Sequence, residues 1–176
     1  MNFDALIVID VQTALLEDHP YQEEELIGNI RQLLAAFRDK GTPVIYVQHE
    51  EQGGPLERGT PGWEIAAAIA PQPGEPVFAK HFNSSFRGTG LHEWLQQRGI
   101  HRLLLCGMQT EYCVDTSCKV AFELGYEVTI PRGGTSTFDN GLFTGKDLLR
   151  FYENYIWEGA FARVIPMGQV LAEAQG

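Results

Sequence analysis

The chain has 176 residues, of which 44% are hydrophobic and 20% charged, with 19 Gly and 9 Pro. This is ordinary globular composition, which excludes a disordered, collagenous or coiled-coil chain, and the length fits one domain, 1–176, able to bury roughly 70% of its unfolded surface without a metal or disulfide staple. Lys and Arg number 13 against 23 Asp and Glu, and the resulting net charge of -10 repels phosphate backbones and anionic lipid, so neither nucleic acid nor a membrane surface is an expected partner.

The first apolar run, Ala5–Ile9, reads as a strand and stops at Asp10. Glu23–Lys40 carries Leu26, Ile27, Ile30, Leu33, Leu34 and Phe37 at helical spacing, with Gly41 as its stop. Pro43–Val47 is the second strand, followed by a long polar, glycine-rich connection, Gln48–Gly62. Loops of that length in compact domains are usually functional or mobile. A third strand, Pro76–Ala79, precedes a helix over Thr89–Arg98, and the two glycines of Arg87-Gly88-Thr89-Gly90 read as the turn into that helix rather than a dinucleotide fingerprint. Arg102–Cys106 is the fourth strand, Glu111–Leu124 a helix ending at Gly125, Glu127–Ile130 the fifth strand, Lys146–Trp157 a helix and Ala162–Ile165 the sixth strand. The apolar tail Val164–Ala174 reads either as a contact surface or as packing on its own domain.

Most of these strands are continuous apolar runs, as expected where both faces are covered. Alternating with helices, they predict an α/β fold: a three-layer, Rossmann-like sandwich with a six-stranded parallel sheet flanked by helices on both faces. No apolar run approaches the ~20 residues of a membrane span. The opening MNFDALIVIDVQ has no basic leader or small-residue cleavage site, and three cysteines, Cys106, Cys113 and Cys118, are an odd set. A cytoplasmic setting with free thiols is therefore expected.

Ligands of open parallel sheets bind at the carboxyl ends of the strands. Just past those ends lie Asp10 and Gln12, then Gln48 and His49, then Lys80 with His81, Asn83, Ser84, Ser85 and Phe86, then Gly107-Met108-Gln109-Thr110-Glu111-Tyr112-Cys113 running into a helix. A carboxylate, an ammonium and a thiol thus converge on one edge. A helix N-terminus and a nearby Lys favour a thiolate at Cys113, whereas Asp10 disfavours it and suits a base that takes the thiol proton. Taken singly, each has a plain alternative: a capping Asp, a solvated Lys, an inert core Cys. Cys118 lies about 140° around the helix from Cys113, Cys106 reads as core, and neither spacing is that of a redox pair or zinc site.

Asp10 in LIVIDVQ, Lys80 in VFAKHFNSSF and Cys113 in LLLCGMQTEYCVDTSCKVAFELGYEV resemble the isochorismatase-like cysteine hydrolase family, over Ala5 to about Asp139. The resemblance implies an Asp10–Lys80–Cys113 catalytic triad and hydrolysis of small amides or related C–N bonds through an acyl-thioester. It also implies a cis peptide between Met108 and Gln109, an oxyanion hole from the backbone N–H groups of Gln109 and Cys113, and assembly as a homodimer or homotetramer around a small-molecule substrate. The family's nicotinamidases hold a metal through an Asp-x-His pair and a further His; this chain has Gln48-His49-Glu50-Glu51 there, so no metal and no cofactor are expected, with His49 and Glu51 the residues nearest to such a site. The turn Pro131-Arg132-Gly133-Gly134-Thr135 lacks the acidic residue that relatives often carry. Gln12, His49, Trp63, Phe82, Phe86, Tyr112 and Phe138 are expected to wall the pocket. Alternative readings are vinyl-ether or ester hydrolysis, and a non-catalytic thiol-bearing binding or redox-sensing module.

Overall fold

The computed structural model describes residues 3–175. Its elements run β1 (Ala5–Ile9), α1 (Thr13–Glu17), α2 (Glu23–Asp39), β2 (Val44–His49), β3 (Val77–Lys80), α3 (Leu91–Gln97) and β4 (Arg102–Met108). A π turn (Thr110–Val114) then leads into α4 (Asp115–Glu123), β5 (Glu127–Pro131), β6 (Thr135–Ser136), α5 (Gly145–Phe151) with a π extension (Tyr152–Trp157), β7 (Arg163–Ile165) and α6 (Met167–Gln175). The sheet order is β3-β2-β1-β4-β5-β7, all parallel, with β6 pairing β4 at Gly107–Thr135 and Met108–Ser136.

The continuous apolar strands are explained by two cores, one on each face of the sheet. Leu6, Val8, Val44, Tyr46, Leu104 and Cys106 face α2 and α6, meeting Ile30, Leu33, Phe37, Val170 and Ala174. The alternate residues Ala5, Ile7, Ile9, Ile45, Val47, Leu103 and Leu105 face the other way, onto Leu91, Leu95, Cys118, Ala121 and Trp157. Successive side chains point to opposite faces of a strand, so a strand buried on both sides has no polar phase to show.

The sheet has seven strands rather than six; two-residue β6 lies in the glycine turn after β5 and is too short to leave a pattern. The third strand is an edge strand and not covered on both faces: Val77 is 43% exposed. The helix expected over Glu111–Leu124 opens as a π turn and becomes α-helical only at Asp115, and the one expected over Lys146–Trp157 ends as a π extension. Helices α1 and α6 were not expected, and Val170 and Ala174 of the tail are buried in this chain's own core.

Candidate active site

The ends of β1, β2 and β3 and the turn after β4 bring Asp10, His49, Lys80 and Cys113 to a common point. Asp10 follows β1 in a left-handed conformation (φ 50°), which Asp tolerates better than most residues, and its N–H donates to Val47 O at 2.9 Å. Gly107, near the end of β4, sits at φ 126°; a Cβ there would stand 2.0 Å from Ile9 O, so only glycine lets β4 close against β1 beside Asp10. The Met108–Gln109 peptide that follows is cis. Thr110 Oγ1 donates to Thr135 Oγ1 (3.1 Å), which ties the π turn bearing Cys113 to β6. Ser85 and Ser117, buried with oxygens 2.7 Å apart, fasten the segment after β3 to α4.

Lys80 ends β3, and its Nζ is the centre of the site. It lies 2.6 Å from Asp10 Oδ2 and 3.2 Å from Cys113 Sγ, and it donates to His49 Nδ1 (3.1 Å) and Phe82 O (3.0 Å). The Asp10 contact is off-axis: a close ion pair that leaves neither carboxylate oxygen with a directed hydrogen bond among the described residues. Asn83 Oδ1 stands 3.8 Å from Cys113 Sγ. A cavity of about 180 Å³ opens over this group, lined by Asp10, Leu15, His49, Glu51, Leu56, Asn83, Gln109, Tyr112 and Cys113.

Burial sets the protonation of the cluster. It pushes the Asp10 carboxyl up, with the adjacent Lys80 ammonium, the Cys113 thiol and, last, His49 opposing. The Cys113 thiol is pushed up to about 12, by burial first and then by the Asp10 charge, with Lys80 opposing. Of the opposed influences expected on this thiol, those against the thiolate win: desolvation outweighs the ammonium, and the resting residue is a thiol. His49 is held below its ordinary value by burial and by the Lys80 charge, consistent with Nδ1 accepting from the ammonium and the ring proton residing on Nε2.

The expected pocket residues separate into two groups. His49 and Tyr112 line the cavity. Gln12 does not: it is fully buried and clamps the loop, donating to His49 O and Trp63 O and accepting from His49 N. Trp63 turns away to a separate hollow with Gln48 and Arg58. Phe82 is 43% exposed under the Arg87 guanidinium, and only its carbonyl reaches the site. Phe86 stacks on Tyr126, and Phe138 packs against the core on the α2 face. Leu15 was not expected as lining, since nothing in the sequence shows that α1 folds over the strand ends; Glu51 and Leu56 come from the Gln48–Gly62 connection, the loop expected to set specificity. The turn after β5 does receive a carboxylate, but from a distance: Arg132 Nη1 donates to Glu153 Oε2 (2.9 Å).

Asp10, His49 and Cys113 offer ligand atoms within 4.8 Å of one another. They do not fit a metal ion, because the Lys80 ammonium already contacts all three at 2.6, 3.1 and 3.2 Å and supplies the positive charge there.

The isochorismatase domain family matches residues 4–154. Streptothricin hydrolase of Streptomyces noursei is 35% identical over 138 residues, covering 77% of this chain, which spans only 50% of that protein's length. A ureidoacrylate amidohydrolase of Agrobacterium fabrum (strain C58) is 29% identical over 161 residues, covering 69% of this chain and 71% of that protein. The crystal structure of an isochorismatase from Pseudomonas putida KT2440 superposes with a TM-score of 0.89 at 29% identity, over 94% of this chain and 89% of that one. No helix among the described residues is long and apolar enough to cross a membrane.

Proposed function

The chain belongs to the isochorismatase family, and from that premise we propose that it is a cysteine hydrolase of small amides or related C–N bonds. In this reading Cys113 is the nucleophile, Asp10 the general acid–base, and Lys80 the cation that holds both in register. The observation that carries it is the buried Lys80 ammonium, 2.6 Å from Asp10 Oδ2 and 3.2 Å from Cys113 Sγ.

A thiol with a pKa near 12 is a poor nucleophile until its proton is removed. A buried carboxylate with unused lone pairs is placed to remove it. As the S–C bond forms, the Sγ proton passes to Asp10 and the carbonyl electrons move onto oxygen, where the backbone N–H groups of Gln109 and Cys113 stabilise the oxyanion. Collapse breaks the C–N bond while Asp10 returns the proton to the departing nitrogen. Water, deprotonated by Asp10, then attacks the acyl-thioester; the acid leaves and the proton returns to Sγ. The raised Asp10 pKa suits both halves of this cycle, since the same group must accept and give a proton.

Ammonia release from a panel of small primary amides, with ester and vinyl-ether panels beside it, tests this reading. The unsubstituted protein releases ammonia and Cys113→Ala does not; equal turnover by Cys113→Ala overturns it. A cytoplasmic setting and assembly as a homodimer or homotetramer belong to the same proposal. The unpaired Cys106, Cys113 and Cys118 support the former, as a reducing compartment leaves thiols free. Sedimentation velocity and cell fractionation test the two; a monomer, or an exported protein, contradicts them.

A further inference from the structure

The cavity over Cys113, about 180 Å³, has room for a reacting amide and little else. Beside it lies a second cavity of about 770 Å³, lined by Glu111, Tyr112, Asn140, Phe143, Asp147, Leu148, Phe151 and Tyr152. Tyr112 is the wall common to both, and Glu111 is only two residues from the nucleophile.

The chemistry of the larger cavity is one-sided. Four aromatic side chains, Tyr112, Phe143, Phe151 and Tyr152, line it, and aromatic rings attract cations. Both charged residues lining it are carboxylates, and neither Lys nor Arg lines it. The Glu111 carboxylate has no ion-pair partner among the described residues, and its Oε2 is shielded from solvent without a hydrogen bond. Asp147 spends one oxygen on the Thr144 hydroxyl at the start of α5. The Tyr152 phenol is pushed up by burial and then by the fields of Asp115 and of the same Glu111 carboxylate.

Resting on the reading of the Cys113 site as an amide hydrolase, we propose that this cavity is the substrate-specificity subsite, and that it takes the cationic, ammonium-bearing part of an amide whose carbonyl reaches Cys113. An unpaired carboxylate beside aromatic rings, partly out of water, gains a counterion from such a ligand and loses only water to a neutral one.

The test is calorimetric binding to the Cys113→Ala protein of a homologous series of ω-amino amides, each compared with the neutral amide in which a methyl group replaces the ammonium. At the chain length that spans the two cavities, the cationic member binds more tightly by about tenfold or more. Glu111→Gln, added to the same background, reduces that preference to about threefold or less. Equal binding of the paired amides at every length overturns the proposal, as does an undiminished preference in a folded Glu111→Gln protein. Should Glu111→Gln fail to fold, the preference of the Cys113→Ala protein must shrink on raising the salt, and its persistence is equally contradictory. Ammonia release from the same amides by the unsubstituted protein is read separately: no release from any of them sinks the hydrolase reading, whereas the binding preference alone decides the subsite.

Discussion

Replacing Lys80 with Met removes the positive charge at the centre of the site while roughly keeping its volume. At 2.6 Å and an effective dielectric constant of about 20, the Lys80–Asp10 attraction is about 6 kcal/mol, comparable with the several kcal/mol needed to desolvate each ion. Removing one partner of such a pair typically costs about 3–5 kcal/mol, because the other charge stays buried alone. Asp10 is 2% exposed and is left with only the smaller influences of Cys113 and His49 in place of the ammonium, so it escapes this penalty by taking up a proton. Its folded pKa, already raised, rises further. A carboxyl with a raised folded pKa contributes its full stability below the unfolded value of about 3.9 and loses it as pH rises through the folded pKa. Lys80→Met is therefore least destabilised in acid and loses stability progressively toward alkaline pH, reaching about 3–5 kcal/mol relative to the unsubstituted protein. Asp10→Asn added to Lys80→Met restores most of that loss, because the buried charge is gone. Urea unfolding at several pH values measures both effects. A loss independent of pH, or one that Asp10→Asn does not relieve, refutes the argument that Lys80 acts as the counterion of a buried carboxylate.

Other consequences are equally direct. Iodoacetamide labelling of Cys113, resolved by peptide mass spectrometry, accelerates with pH without levelling off in the neutral range, because the thiol is pushed up to about 12; a plateau near pH 7 contradicts this. Gly107→Ala places a Cβ 2.0 Å from Ile9 O and destabilises the protein by more than about 3 kcal/mol, seen as a fall in Tm; an unchanged Tm contradicts the close strand approach. Ser117→Ala loses the buried contacts to Ser85 and loosens the segment bearing Asn83, costing about 1–3 kcal/mol in chemical unfolding. Glu153→Gln weakens the tie to Arg132 across the turn before β6; hydrogen exchange of Gly133 and Gly134 increases while that of α2 does not.

Much of this architecture was legible in the sequence because it rests on strong periodic signals. Ala5–Ile9 and the α2 stripe ending at Phe37 and Gly41 lie where apolar pattern and glycine stop place them. The convergence of Asp10, Lys80 and Cys113 followed from parallel topology, which sends every strand end to one edge. What was not legible depends on tertiary contact. Two-residue β6 exists only because Gly107 and Met108 offer it a ladder, and α6 is fixed by burial of Val170 and Ala174 against α2. Gln12, a residue in the right place, proved to be a backbone clamp, and Trp63, Phe86 and Phe138 found partners elsewhere. The sign of the Cys113 shift was also hidden, since it turns on burial, which a motif does not record.

The central claim is that Cys113 forms a covalent acyl-thioester with an amide substrate. Acid-quenched intact-mass spectrometry during turnover of the amide that releases ammonia fastest tests it most directly. The account predicts an adduct equal to the acyl group, mapped to Cys113, lost to hydroxylamine and absent in Cys113→Ala. Ammonia release with no adduct under single-turnover conditions, or from Cys113→Ala at an undiminished rate, contradicts it.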